Sequence, residues 1–145
     1  AAAAVAKAKS VSAQPTAASF SVPATLADLE RAWRSLRGVP EEFSALVHRI
    51  EPSRLQQLFR SSLPAEIFTA ILQAIESRYF PEDATRALET LRALTKAGHF
   101  TILTMCLERK DETALASIFA QLKTAQEDGL IAASEDLGAL RKAYS

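Results

Sequence analysis

Residues 40–81 read PEEFSALVHRIEPSRLQQLFRSSLPAEIFTAILQAIESRYFP, and this stretch limits the folds that are open to the chain. Its four prolines, at positions 40, 52, 64 and 81, each stand just ahead of a segment whose apolar residues recur every three or four positions. Proline is favoured in the first turn of a helix, because its missing N–H would have no partner there. The stretch therefore predicts a train of short amphipathic helices.

The segment between Pro64 and Pro81 carries the broadest apolar stripe of the chain. Its apolar residues follow the i, i+3, i+4, i+7 spacing that places side chains on one face of an α-helix. So wide an apolar face needs cover on several sides, and we expect this helix to lie near the centre of the fold. The stripe consists of Ile67, Phe68, Ile71, Leu72, Ile75 and Tyr79.

Helical spacing of apolar residues continues on both sides of this segment. The chain has only 4 glycines and few β-branched runs, which argues against a sheet protein. We predict an all-α fold, an irregular bundle of seven to eight short helices in one domain over residues 24–145. The predicted helices cover 26–37, 40–50, a short segment after Pro52, 64–79, 82–97, an apolar segment from 100 to 107, a helix carrying Leu115 to Leu122, and a last helix carrying Leu137 to Tyr144.

The first 23 residues differ in composition from the rest. They are rich in alanine and serine, contain Lys7 and Lys9, and have no acidic residue. Such a segment lacks the apolar bulk that would offset the entropy of ordering it, and it is predicted to be a disordered linker. A targeting peptide is the alternative interpretation, and docking of Phe20 and Val22 on the domain is a further one.

The amino-acid composition limits the classes of partner that the chain is expected to bind. Lys plus Arg and Asp plus Glu both total 17, so the net charge is zero, and the basic excess typical of nucleic-acid binders is absent. No apolar run approaches the roughly 20 residues of a membrane-spanning helix. One cysteine, Cys106, excludes an intrachain disulfide and fits a reducing compartment. We expect neither a nucleic acid nor a membrane as partner.

Catalytic and metal-binding patterns are missing from the sequence. His48 and His99 are far apart, and neither has a second His or Cys at metal-ligand spacing. His48 adjoins an apolar stripe, which predicts a half-buried packing residue. Cys106 lies among Met and Leu residues, where a thiol is typically buried and inert. We therefore expect no enzyme, no cofactor and no metal.

Gly98 and the segment after it form a second distinctive feature. Gly98 follows a predicted helix and is expected to end it in a left-handed conformation. The next residues, FTILTMCL at 100–107, are apolar almost all round. Such a helix is either buried on every side, or buried on one side with an exposed apolar surface on the other that can bind a partner.

Three short motifs connect the chain to a known family. They are Ile-Glu-Pro at 50–52, Leu-Phe followed by a proline at 58–64, and Gly-His-Phe-x-Ile at 98–102. In this order and spacing they resemble the carboxy-terminal domain of the RNA polymerase II-associated protein 3 family. That domain is also found in sperm-associated antigen 1 and in related dynein-arm assembly factors. The likeness covers residues 24–122 and extends toward residue 144.

The resemblance implies a non-enzymatic protein-interaction domain of a co-chaperone. Domains of the family dock on a RuvB-like AAA+ ATPase, and upstream tetratricopeptide repeats link that ATPase to the heat-shock 90 chaperone for the assembly of multisubunit complexes, dynein arms among them. For this chain it implies a monomeric domain, cytoplasmic, with the nucleus as a second location. A stand-alone helical scaffold that binds a short peptide or a partner helix is the alternative function.

The resemblance also points to a docking site at the Gly98 turn. Family members often carry Arg or Lys before the aromatic residue of this turn, and here the position is His99, a departure from that pattern, followed by Phe100 and Ile102. Cys106 lies one helical turn beyond Ile102. We expect these four residues to bind the partner, and the sequence leaves open whether Phe100 and Ile102 are instead ordinary core residues.

Overall fold

The computed structural model describes residues 16–144, and within this range the chain folds into eight α-helices and one short 3₁₀ helix, without a strand. The predicted all-α bundle of seven to eight short helices is confirmed. The 3₁₀ helix covers Ala17–Ser19. The α-helices are α1 (Leu26–Leu36), α2 (Pro40–Arg49), α3 (Pro52–Leu58), α4 (Ala65–Arg78), α5 (Ala84–Leu94), α6 (Phe100–Met105), α7 (Arg109–Glu127) and α8 (Leu137–Ala143).

Prolines mark the helix starts, as predicted, in two different ways. Pro40 and Pro52 are the first residues of α2 and α3. Pro64 is the N-cap residue of α4, and Pro81 lies in the turn that precedes α5. In all four places the helix needs no N–H from the proline, because the first N–H groups of a helix have no intrahelical acceptor.

Helix α4 lies at the centre of the bundle, as its broad apolar stripe predicted. It packs against α2 on one side and α7 on another. Ile71 and Ile75 are fully buried, and α4 holds six buried residues in all. Around this centre α3 packs on α5, α5 on α7, and α8 on α7. The core is therefore one continuous cluster to which every α-helix contributes.

The segment just before α1 is attached to α2. The carboxylate of Glu42 accepts a hydrogen bond from the N–H of Ala17 at 2.8 Å. The guanidinium of Arg49 donates to the carbonyl oxygens of Ala17, at 2.8 Å, and Phe20, at 3.1 Å. Most of the predicted linker, residues 1–15, lies outside the described residues, so the linker stays a prediction there. Its last residues contact the domain.

Candidate protein-docking surface

The turn before α6 is held tightly against the connection between α3 and α4. The N–H of Gly98 donates to the carbonyl oxygen of Phe59 at 2.9 Å. A Cβ atom at position 98 would lie 2.1 Å from the carbonyl oxygen of Ser61, far inside contact distance. Glycine is required here because backbone approaches backbone, and only a residue without a side chain fits.

The left-handed residue of this turn is His99, at φ 60°, and the expectation that Gly98 would adopt that conformation is wrong. Position 98 needs glycine because no side chain fits there, and the backbone adopts the left-handed conformation one residue later. The left-handed conformation costs an L-residue roughly 1–2 kcal/mol, although histidine is among the residues found there more often. His99 is exposed and stands at the N-cap position of α6. Strain of this kind persists where the surrounding structure enforces it.

Helix α6 has one buried residue and a largely exposed outer side. Phe100 is 8% exposed and belongs to the core. Ile102 is 58% exposed and Met105 is 78% exposed, which makes them two of the few large apolar side chains at the surface of the described residues. Cys106 is exposed as well, so the expectation of a buried thiol is wrong: it is the C-cap residue of α6 and lies at the edge of an open cleft.

We use the name α6 surface for the four exposed residues His99, Ile102, Met105 and Cys106. His99, Ile102 and Met105 follow one another at a spacing of three, and Cys106 lies four residues after Ile102, so the four residues share one side of the helix. Three of them are predicted partner-binding residues, whereas the fourth predicted residue, Phe100, faces the core. Met105 was not among the predicted residues. Placing Phe100 on the inner side would have identified it, because position 105 then falls outside.

A cleft adjoins the α6 surface. It has a volume of about 650 Å³, lies between α1, α2, α4 and the start of α7, and includes Cys106 in its lining. The guanidinium of Arg37 stacks over the Trp33 ring at 4.5 Å and lies 4.0 Å from the carboxylate of Glu66. Aromatic, basic and acidic groups alternate along this cleft, so it carries no single sign of charge.

The loop that leads from α6 into α7 is fixed by a buried carboxylate. Asp111 is 5% exposed and accepts a hydrogen bond from the Thr69 hydroxyl at 2.6 Å and from the N–H of Glu108 at 3.1 Å. The first contact ties α7 to α4, and the second closes the capping box at the start of α7. The far end of the α6 surface is therefore attached to the central helix.

Among residues 16–144, the contact that most resembles a catalytic pair is made by His48. Its Nε2 lies 2.6 Å from Oδ2 of Asp83, and its ring packs 4.5 Å from that of Tyr79. Burial raises the pKa of Tyr79 to about 12, so this phenol stays protonated and is no nucleophile near neutral pH. His48 is half-buried, as predicted, and the pair joins the end of α2 to the start of α5.

The described residues also hold no group of three or more His, Cys, Asp or Glu side chains that could bind a metal ion. Across the same range, no helix combines the length and apolar character needed to span a membrane.

Comparison with known proteins identifies the family. The family model described as "Potential Monad-binding region of RPAP3" matches residues 22–112, more than half of the chain. The chain belongs to this family. RPAP3 is RNA polymerase II-associated protein 3, so the predicted resemblance is confirmed. The matched region includes the whole α6 surface and ends inside α7.

Curated relatives agree with this assignment. The chain is 28% identical over 124 residues to RNA polymerase II-associated protein 3 of Xenopus tropicalis, covering 85% of this chain and 18% of that protein. It is 30% identical over 103 residues to the protein of Gallus gallus, covering 70% and 16%. Sperm-associated antigen 1 of Mus musculus is 29% identical over 110 residues, covering 76% and 12%. The chain thus spans less than a fifth of the length of these relatives.

A solved structure shares the fold. The nuclear magnetic resonance structure of the C-terminal domain of the human RPAP3 protein superimposes with a TM-score of 0.74 at 23% sequence identity. The superposition covers 87% of this chain and 90% of that one. The fold of this chain is therefore that of the C-terminal RPAP3 domain, and the family membership supports a partner-binding domain.

Proposed function

We propose that this chain is the non-enzymatic docking domain of a co-chaperone and that its α6 surface binds a RuvB-like AAA+ ATPase. Through that contact the ATPase is joined to the heat-shock 90 chaperone, by way of tetratricopeptide repeats elsewhere in the parent protein, for the assembly of multisubunit complexes. The domain docks as a monomer, in the cytoplasm or, as the alternative, in the nucleus.

One observation carries the proposal: Ile102 and Met105 expose large apolar side chains side by side on a helix whose turn is rigidly held. Exposed apolar residues of this size mark interaction sites, and an anchor fixed before binding loses little entropy when the partner arrives. His99 and Cys106 flank these anchors and supply the polar edge that surrounds the apolar centre of an interface.

A second candidate partner is Monad, because the family description names this region of RPAP3 as a potential binding region for it. The cleft between α1, α2 and α4 keeps open a third arrangement, in which a peptide or helix is bound beside the α6 surface rather than on it. These candidates differ in which residues the partner needs.

The test measures binding of the purified domain to a purified RuvB-like ATPase, and separately to Monad, by isothermal titration calorimetry. The double variant His99→Glu, Ile102→Glu places two carboxylates in the α6 surface without touching the core. We expect it to weaken ATPase binding by at least about 100-fold, because hot-spot residues of this kind contribute 2 kcal/mol or more each. Its circular dichroism spectrum should match the wild type, and its melting temperature should fall only slightly, because glutamate is less common than histidine in the left-handed conformation of position 99.

The variant Leu130→Glu is the matched control. Leu130 is 50% exposed and lies in the connection between α7 and α8, so it receives the same kind of change outside the α6 surface. It should bind the ATPase like the wild type. A folded double variant that still binds the ATPase would contradict the proposal, and selective loss of Monad binding would establish Monad as the partner of this surface.

A further inference from the structure

We infer that Tyr144, beyond the end of α8, is a positioning residue for the α6 surface: it holds the docking helix from behind without facing the partner. The inference rests on the proposed docking function. Tyr144 lies outside the region that the family model matches, so family membership assigns it no role. The structure assigns it one through a chain of aromatic contacts.

The first link is between α6 and the core. Phe100 is the only buried residue of α6, and Leu103 and Leu107 are partly buried against the same core. The Gly98 turn and the capping box at the start of α7 hold the two ends of this six-residue helix. Between these ends, Phe100 is the side chain that anchors the helix most deeply in the core.

The second link is between Phe100 and Tyr144. The two rings meet edge to face, with centroids 5.1 Å apart and planes at 89°. Contacts of this geometry are favourable beyond the area they bury, and they specify the mutual orientation of the rings. The ring of Tyr144 thus forms part of the site in which the Phe100 ring packs.

The third link fixes Tyr144 itself. Its hydroxyl donates a hydrogen bond to the carbonyl oxygen of Leu91 in α5 at 2.6 Å, and the residue is 3% exposed. Its ring lies 6.2 Å from the rings of Phe68 in α4 and Phe119 in α7. Contacts with three helices therefore fix the position of Tyr144. Tyr144 in turn fixes the position of Phe100, and Phe100 fixes that of Ile102 and Met105 on the same helix.

The test compares Tyr144→Leu, which keeps an apolar side chain but removes the ring, with Tyr144→Phe, which keeps the ring and loses only the hydroxyl. Leu29→Ala is the matched control, because it empties a fully buried site in α1, a helix that packs against α2. Calorimetry with the RuvB-like ATPase is performed at a temperature at which all variants are folded. Amide spectra of the free domain report on residues 99–105.

We expect Tyr144→Leu to weaken binding about tenfold and to shift the amide signals of α6, as displacement of a supporting residue does in coupled networks. Tyr144→Phe keeps the ring contacts with Phe68 and Phe119 and should weaken binding and shift the amide signals much less than Tyr144→Leu. Leu29→Ala should lower the melting temperature while binding like the wild type. If Tyr144→Leu does not fold, Phe100→Leu removes the same edge-to-face contact from the other side.

Two results of the binding measurements would overturn the inference. One is ATPase binding by Tyr144→Leu equal to that of the wild type while the His99→Glu, Ile102→Glu variant loses it, which leaves the proposed function intact. The other is equal weakening by Leu29→Ala, which would make the effect one of general stability. If the wild-type domain does not bind the ATPase, the proposed function fails, and unchanged α6 amide signals in Tyr144→Leu would separately overturn the role of Tyr144.

Discussion

Helices α4 and α6 are both rich in apolar residues, yet they use them in opposite ways. α4 buries six of its 14 residues, whereas α6 buries only Phe100 and exposes Ile102 and Met105. α4 lies between α2 and α7, while the outer side of α6 has no helix of the described chain over it. Apolar composition alone therefore does not show whether a side chain is buried, because the position of its helix in the bundle decides this.

The largest difference is expected between two isoleucines, one in each helix. Ile71 in α4 is fully buried, and Ile71→Ala should lower the free energy of unfolding by about 2–5 kcal/mol, since it leaves a cavity in the core. Ile102→Ala in α6 should change it by less than about 0.5 kcal/mol, as surface substitutions typically do. Urea denaturation of both variants measures the difference. Equal losses would mean that the exposed side of α6 contributes to folding.

The next effect concerns the turn that fixes α6. Gly98→Ala should cost about 1–3 kcal/mol, the usual penalty for forcing atoms into a filled space, because the new methyl group meets the Ser61 carbonyl. Gly38→Ala is the matched control, since a methyl group there meets nothing within 4 Å. Thermal unfolding of the two variants checks this, and similar melting temperatures would show that the Gly98 turn yields easily.

The smallest expected effect concerns Tyr79, which is buried at the end of α4, and it depends on pH. Tyr79 is fully buried, and burial raises its pKa to about 12 from 10.0. As pH rises, Tyr79 therefore loses its proton at a lower pH in the unfolded chain than in the folded chain. The stability that results from this difference is complete below pH 10 and is lost between pH 10 and 12. By pH 11 the loss due to Tyr79 should be about 1.4 kcal/mol.

Tyr79→Phe isolates this contribution. The Tyr79 hydroxyl is buried and makes no hydrogen bond of normal geometry among residues 16–144, although it interacts with the buried Thr90 hydroxyl. Its removal should therefore change stability little at pH 7. Above pH 10 the variant should lose less stability than the wild type in urea titrations. An identical alkaline loss would assign the whole effect to other groups, foremost Tyr144, whose pKa burial also raises.

Much of the fold was predictable because it depends on local rules. Proline at a helix start and apolar residues every three or four positions act within one helix, and they located α2, α3 and α4 closely. Helix α5 is shorter than the predicted 82–97 and ends at Leu94. Its apolar spacing alone could not show that the chain must turn early to reach the Phe59 carbonyl.

The candidate site was predictable only in part. The motif at 98–102 drew attention to the turn before α6, and the apolar segment after it allowed either burial or docking. Which of its side chains are exposed depends on contacts distant in sequence, such as the one between Phe100 and Tyr144, 44 positions apart. Met105 was therefore missed, and Cys106 was predicted to be buried although it is exposed.

The sequence by itself determined the all-α class, the order of the helices, the central place of α4 and the family. These follow from hydrophobic period and short motifs, which are properties of neighbouring residues. Only the tertiary structure decided that Gly98 is needed for space, that His99 takes the left-handed conformation, and that Phe100 turns inward while Ile102 turns outward. The physical reason is that these features depend on the Ser61 backbone and the Tyr144 ring, which only folding brings to α6.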